Sequence, residues 1–296
     1  MRRSAASLFR RLRWAALDAA LLRGVVARWS YNCGLHGRLS VTEFEVQVQM
    51  PAQIQVLQHA RGPVPAQPLL VAFASDFHAG ATTDPRLFTR LTALLVERRP
   101  DVLLLGGDFV SWNAGDVRVL AERLSVVDPP LGKFAVLGNH DRLAGVGQLV
   151  PHLERAGVRV LVNSHAALPA PFDAVSICGI DDPWSGSPNA AAAFEGAGPV
   201  RIFLTHSPDG ILLVGTHRFD VAFAGHTHGG QVAFKDGTPI VTAGGPLARS
   251  HSRGCFDVPG NGSLYVSRGV GCSNLPLRIN ADPELVLCTL RFEAPA

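Results

Sequence analysis

No stretch of this 296-residue chain reaches the roughly 18 consecutive apolar residues that a membrane-spanning helix needs. The longest N-terminal candidate, Trp14 to Leu22, is short and carries Asp18. Arg23 follows at once and no small-residue cleavage site is clear, so a cleavable export signal is not expected either. Cysteine is scarce. The five residues Cys33, Cys178, Cys255, Cys272 and Cys288 are odd in number and show no CxxC spacing, which excludes a disulfide framework and a zinc ribbon. Reduced thiols favour a reducing compartment, and the expected location is the cytoplasm. Charge is also thin: at 17% charged residues and a net +3, the chain lacks the basic footprint of a nucleic-acid binder. There is no internal repeat and no low-complexity tract.

The charge that is present is unevenly placed. Residues 1–40 hold eight arginines against one acid, Asp18, a net +7, so the remaining residues carry −4. Residues 5–29 read as a helix with Leu8, Leu12, Leu22, Val26 and Trp29 on one side and most of the arginines across from it. Such a helix either rests on an anionic membrane surface, on its inner face, or docks on the protein's own body with its arginines in solvent. The expected organisation is a basic arm over 1–40 and one domain over 41–296. At 47% hydrophobic the domain has ample material for a core.

Residues 41–50 alternate Phe44, Val46, Val48 and Met50 with Glu43, Glu45, Gln47 and Gln49, the pattern of a half-buried strand at a sheet edge. A regular alternation follows. Leu69–Ala74, Val102–Leu105, Phe134–Leu137 and Val158–Val162 read as strands. Helices are expected at 87–98, with Asp84 as N-cap and Pro85 in the first turn, at 115–126, and at 146–156 despite Pro151. This βαβαβ order argues a mostly parallel sheet with flanking helices. The second half is richer in strands, at Val175–Cys178, Val200–Leu204, Val221–Ala224, Leu264–Val266 and Leu285–Phe292, interrupted by irregular stretches at 179–189 and 235–262.

Five of these strands end in ligand-type residues: Asp76 and His78, Asp108, Asn139-His140-Asp141, His206, and His226 and His228. In open α/β sheets, ligands bind outside the carboxyl ends of strands. Oxygen and imidazole donors without thiolate suit Mn, Fe, Zn or Co better than a closed structural zinc site.

The five blocks DFH at 76–78, GGD at 106–108, GNHD at 138–141, the histidine of LTHSPD at 204–209 and GHTHGG at 225–230 resemble, in order and content, the calcineurin-like metallophosphoesterases. The GHTHGGQ form, with SRGVG at 267–271 and LPLR at 275–278, is similar to the YkuE-like bacterial branch. The resemblance implies a four-layer α/β/β/α sandwich with two mixed sheets, and a site for two divalent metals. It assigns Asp76, His78 and His228 to the first metal, Asn139, His206 and His226 to the second, and Asp108 to both. A hydroxide bridging the pair would attack phosphorus in an in-line displacement. His140 is left free to protonate the leaving oxygen, oriented by Asp141.

The implied activity is hydrolysis of a phosphodiester or pyrophosphate, including a lipid-linked one such as UDP-2,3-diacylglucosamine. The alternative is a non-catalytic scaffold of the same fold, which typically lacks some of these ligands; here none is missing. Asp181, Asp182 and Trp184 are candidates for a substrate pocket. Arg249 and Arg278 are candidates for contacts to a substrate phosphate. Ile240, Val241 and Leu247, following the GHTHGG block, are expected near the metals.

Overall fold

A computed structural model describes residues 16–49 and 67–293. The described residues form two six-stranded mixed sheets. The first has the order β1 (Ser40–Gln49), β12 (Glu284–Glu293), β2 (Leu69–Ala74), β3 (Val102–Leu105), β4 (Lys133–Ala135), β5 (Val158–Val160). β2 to β5 run parallel, β12 is antiparallel to β2, and β1 pairs with β12 in parallel from Ser40↔Glu284 to Gln49↔Glu293. The second has the order β10 (Gly254–Asp257), β11 (Ser263–Val266), β9 (Val221–Ala224), β8 (Val200–Leu204), β7 (Val175–Gly179), β6 (Ser164–Ala167), with antiparallel pairs only at its two edges.

The sheets face one another across a core that includes Phe73, Leu104, Val136, Ile202 and Phe223. Phe73 and Phe223 meet there with ring centroids 5.2 Å apart, and burying one such side chain contributes about 2 kcal/mol. The outer face of the first sheet is covered by α2 (Arg86–Arg98), α3 (Val117–Leu124) and α5 (Val146–Arg155). A smaller core with α6 (Ala190–Phe194) covers the outer face of the second. The four-layer sandwich with two mixed sheets is therefore the fold of this chain.

Elements differ from expectation where local chemistry is weakest. The helix expected over 5–29 falls partly outside the described residues. Within them it is interrupted at Leu22–Gly24, where Leu22, Arg23 and Gly24 take positive φ, and it restarts as α1 (Val25–Asn32). Gly24 adopts that left-handed conformation without steric cost. The edge strands β6 and β10 carry too few apolar residues to announce themselves, and α6, five residues of Ala and Phe, is too short to show a helical period. The helix expected from 115 begins as a 3₁₀ turn, Ala114–Asp116, before α3. The cap of α2 falls on Pro85, one residue later than expected, and Asp84 before it accepts from Arg86 N through Oδ1 at 2.9 Å.

Candidate metal centre

The ends of β2, β3 and β4 in one sheet and of β8 and β9 in the other converge. Beyond each strand the backbone turns sharply. Asp76, His78, Asp108, His226 and His228 all have φ between 45° and 71°, a conformation that costs non-glycine residues on the order of 1 kcal/mol each and that functional sites concentrate. Two glycines permit the close approach. A Cβ on Gly138 would collide with Asp108 Oδ1, and one on Gly225 with Asp76 Oδ2.

The seven side chains form two adjoining groups. Asp76, His78 and His228 bring ligand atoms within 4.8 Å of one another, as do Asp108, His206 and His226. Asp108 Oδ2 stands 3.5 Å from His78 Nε2 and 3.4 Å from His206 Nε2, between the groups. Asn139 Oδ1 joins the second group, 3.1 Å from His206 Nε2. Backbone carbonyls fix ring orientation. A carbonyl only accepts, so His206 Nδ1–H donates to Gly106 O at 2.7 Å and leaves Nε2 as the lone pair turned to the cluster. His226 Nε2–H donates to Gly244 O at 3.1 Å and turns Nδ1 inward. His228 differs: its Nδ1 faces the donor-only guanidinium of Arg278, with Nη2 at 3.2 Å. Among the described residues, the buried His78 Nδ1 has no hydrogen-bond partner.

Burial, then neighbouring positive charge, holds His78 and His228 well below the usual imidazole range and His226 at about 4. Burial also disfavours charge on His206, but Asp108 and Asp76 outweigh it and raise that ring well above its ordinary value. Burial works against Asp108 as well, yet His206, His140 and His78 keep it ionised. Burial and the Asp108 charge push Asp76 up to about 6. The ligating form of a histidine is the neutral imidazole with its lone pair inward: His226 already holds it, and His206 would give up its second proton to reach it. Facing nitrogens only 3.0 Å apart at His78 and His228, and 3.2 Å at His206 and His226, converge on shared points as ligands of a cation do. The donor set fits divalent metal.

His140 sits beside this cluster, part-exposed, its ring edge-on to His78 with centroids 4.7 Å apart. Its backbone N–H donates to Asp108 Oδ1 at 2.9 Å and its Nδ1–H to the Ser111 carbonyl at 2.5 Å. The expectation that Asp141 orients His140 is corrected here. Asp141 is fully buried, and its carboxylate accepts from the amides of Phe109 at 2.7 Å, Val110 at 3.3 Å and Gly138 at 2.9 Å. These bonds clamp the ends of β3 and β4 together. Burial, with the Asp108 charge, pushes this carboxyl up to about 8. The group that holds the His140 ring is Ser111 O, a backbone atom.

Arg278 is also redirected. It is buried and donates to the carbonyls of Gly271, Arg268 and Ala281, so it braces His228 and does not face a substrate. Arg249 Nη1 reaches Pro239 O at 3.5 Å. Asp181 pairs with Arg142 at 2.7 Å and Asp182 accepts from Ser185 N at 2.6 Å, so both brace the 179–189 stretch. Trp184 does reach the site: with Val241 and Leu275 it lines a cavity of about 390 Å³ that also contains Asp108, Asn139, His140, His226 and His228. A second cavity, of about 970 Å³, contains none of the cluster and is lined by residues including Asp18, Trp112, Asp116 and Arg142.

A family model for calcineurin-like phosphoesterases matches residues 69–230, a span that contains all five strand ends. The chain belongs to the calcineurin-like phosphoesterase family. The phosphodiesterase YaeI of Escherichia coli K12 is 32% identical over 232 residues, covering 76% of this chain and 83% of that protein. The uncharacterized metallophosphoesterase YkuE of Bacillus subtilis 168 is 30% identical over 203 residues, covering 66% of this chain and 69% of that one. Among solved structures, a 5'-nucleotidase precursor from Thermus thermophilus aligns at TM-score 0.45 and 16% identity, over 75% of this chain and 55% of the other. This calcineurin-like chain is a metal-dependent phosphoesterase, a hydrolase of a family that uses a dinuclear metal centre.

Proposed function

We propose that this phosphoesterase cleaves a phosphodiester or pyrophosphate bond in an amphiphilic, lipid-linked substrate, of which UDP-2,3-diacylglucosamine is an example. One observation carries the reading: the cavity that exposes the ligand cluster and His140 is walled by Trp184, Val241 and Leu275, which are 54%, 67% and 57% exposed. Polar chemistry at the floor and apolar surface at the rim suit a phosphoryl group attached to an acyl-bearing partner.

Asp76, His78 and His228 would hold one metal, Asn139, His206 and His226 the other, and Asp108 both. Mn, Fe, Zn and Co are the matching cations for this donor set. When bound, two such ions supply Lewis-acid stabilisation of the phosphoryl oxygens and activation of water. The residues supply the rest. Asp108 and the carbonyl-fixed imidazoles hold the site open on the cavity side. His140, held at Nδ1 by Ser111 O, presents Nε2 to the leaving oxygen. Water adds to phosphorus and releases a proton to solvent, the bond to the leaving oxygen breaks, and the His140 ring delivers a proton to that oxygen; a diester yields an alcohol and a phosphomonoester, a pyrophosphate diester two phosphomonoesters. Asp141 keeps the strand ends in register. The net +7 over residues 1–40 supports a peripheral position on the inner face of an anionic membrane, with 41–296 as the catalytic domain.

Turnover of a water-soluble chromogenic diester, a nucleotide pyrophosphate and a lipid-linked pyrophosphate in micelles tests this, with each metal added in turn. The expected ranking places the lipid-linked substrate first, with all turnover lost in Asp108→Asn. A soluble diester hydrolysed far faster than any lipid-linked one would overturn the substrate assignment, and undiminished turnover in Asp108→Asn the metal assignment.

A further inference from the structure

The described end of the basic arm lies against the body with Ala27 and Tyr31 inward and its larger aliphatic side chains and Trp29 outward. α1 buries Ala27 and Ser30, and the Ser30 hydroxyl donates to the Pro276 carbonyl. Just after the helix, Leu35 O accepts from Arg278 N at 2.7 Å. On the outside, Val25 and Trp29, four residues apart on one helix face, are 53% and 59% exposed, and Leu22 before them is 59% exposed. An ordinary docked helix turns such residues inward.

The segment beneath α1 continues this surface. Leu275 is 57% exposed next to Pro276, and Ile279 O accepts from Ala233 N at 2.9 Å, which joins the stretch 232–241. That stretch exposes Phe234 and Ile240, at 57% and 47%. Single exposed apolar residues are ordinary, but here three neighbouring elements, joined in series by hydrogen bonds, each expose them, as a docking surface does. Arg23, Arg28 and Lys235 are exposed on the same elements, while Asp236 accepts from the Thr238 amide at 2.9 Å. Leu275 belongs both to this surface and to the wall of the metal-centre cavity.

We propose that this face seats on an anionic lipid bilayer, with the metal-centre cavity opening at its border. Apolar side chains with an interfacial tryptophan enter the headgroup boundary, and the cations meet anionic headgroups. A bilayer leaves the adjacent cavity open to a molecule entering from the leaflet, whereas a protein covering the same rim would close it. The inference deepens the amphiphile reading of the site and rests on it for the direction of substrate entry.

The test uses the full chain and two double variants, Phe234→Glu/Ile240→Glu and Val25→Glu/Trp29→Glu. Flotation with vesicles of mixed phosphatidylcholine and phosphatidylglycerol is compared in low salt and in about 1 M salt, where screening shrinks to about 3 Å and a purely electrostatic tether fails. The expected result is wild-type flotation that persists in high salt and falls at least about tenfold in both double variants, since each loses apolar insertion and adds charge. Hydrolysis of the soluble chromogenic diester should stay at the wild-type rate in both variants, reporting an intact fold and site. That activity and flotation are separate readouts: absent diester turnover counts against the site assignment, and flotation decides the surface by itself. Wild-type flotation that vanishes in high salt, or double variants that float like wild type, would overturn the proposal. So would light scattering that shows a wild-type dimer converted to monomer by these substitutions, because the face would then belong to a second copy.

Discussion

Replacing Asp141 by alanine removes a buried carboxylate from three backbone amides at once. Two of its bonds are short, 2.7 Å to Phe109 N and 2.9 Å to Gly138 N, and the third, to Val110 N at 3.3 Å, is weak. A buried donor left without an acceptor costs about 1–3 kcal/mol. Two good donors put the gross loss near 4 kcal/mol, and relief of the buried carboxyl that burial raises to about 8 offsets part of it at neutral pH, leaving about 2 kcal/mol. At roughly 2 °C per kcal/mol for a chain of this size, Tm should fall by about 4 °C. Asp141→Asn keeps one acceptor oxygen but turns an amide donor toward Gly138 or Phe109, and should cost about half as much. Scanning calorimetry on the metal-loaded variants measures both. Because the clamp also fixes the loop whose His140 amide donates to Asp108, metal affinity should weaken with stability. An Asp141→Ala protein that melts like wild type, holds its metal, and loses only kcat would refute the reasoning and return Asp141 to an action through the His140 ring.

His140→Ala should lower kcat by roughly 10²–10⁴ while elemental analysis finds metal content unchanged; loss of metal in step with activity would make His140 a ligand. Asp116 gives a pH signature away from the cluster. Burial, then the Asp18 charge, raises its carboxyl to about 6 in the folded chain against 3.8 unfolded. The unfolded chain thus gives up this proton more readily, so stability is full below pH 4 and is lost as pH rises through 6. The shift corresponds to about 3 kcal/mol, which partial exposure reduces to about 1–2. Asp116→Asn should therefore stabilise the protein at pH 8 and leave it unchanged at pH 3.5; equal denaturation midpoints at pH 8 would contradict this.

The strands whose bounds were legible are the buried ones. Leu69–Ala74, Val102–Leu105 and Val221–Ala224 are continuous apolar runs because both faces of each are covered, Val200–Leu204 is broken only by the half-buried Arg201, and each stops at a glycine or polar residue. β6, Ser-His-Ala-Ala, and β10, Gly-Cys-Phe-Asp, lie at the two edges of the second sheet, where one side is open and no apolar run is required. Their pairing comes from the neighbouring strand, which a local pattern does not contain. Gly24 was the available sign that the N-terminal helix breaks; a helical wheel averages over such a residue and hides it.

Within the site, what the sequence carried was the set of side chains that converge, and what it did not carry was the backbone behind them. Gly106, Ser111 and Gly244 fix three imidazoles through carbonyl oxygens, an atom every residue possesses, so no residue type could announce the role. The misreading of Asp141 is different, because its signal was present. Residues 139–144 form α4, a helix capped by Gly138. Adjacent positions on a helix point about 100° apart, so His140 and Asp141 cannot share a direction. Asp141 is the third helical residue, the place from which an acidic side chain reaches back to the capping amide, and it does so at 2.9 Å. Read as the start of a helix, Gly138-Asn139-His140-Asp141 divides its labour by geometry: Asn139 meets His206 on one side of the cluster, His140 stands edge-on to His78 on another, and Asp141 turns inward to hold the loop that presents Asp108.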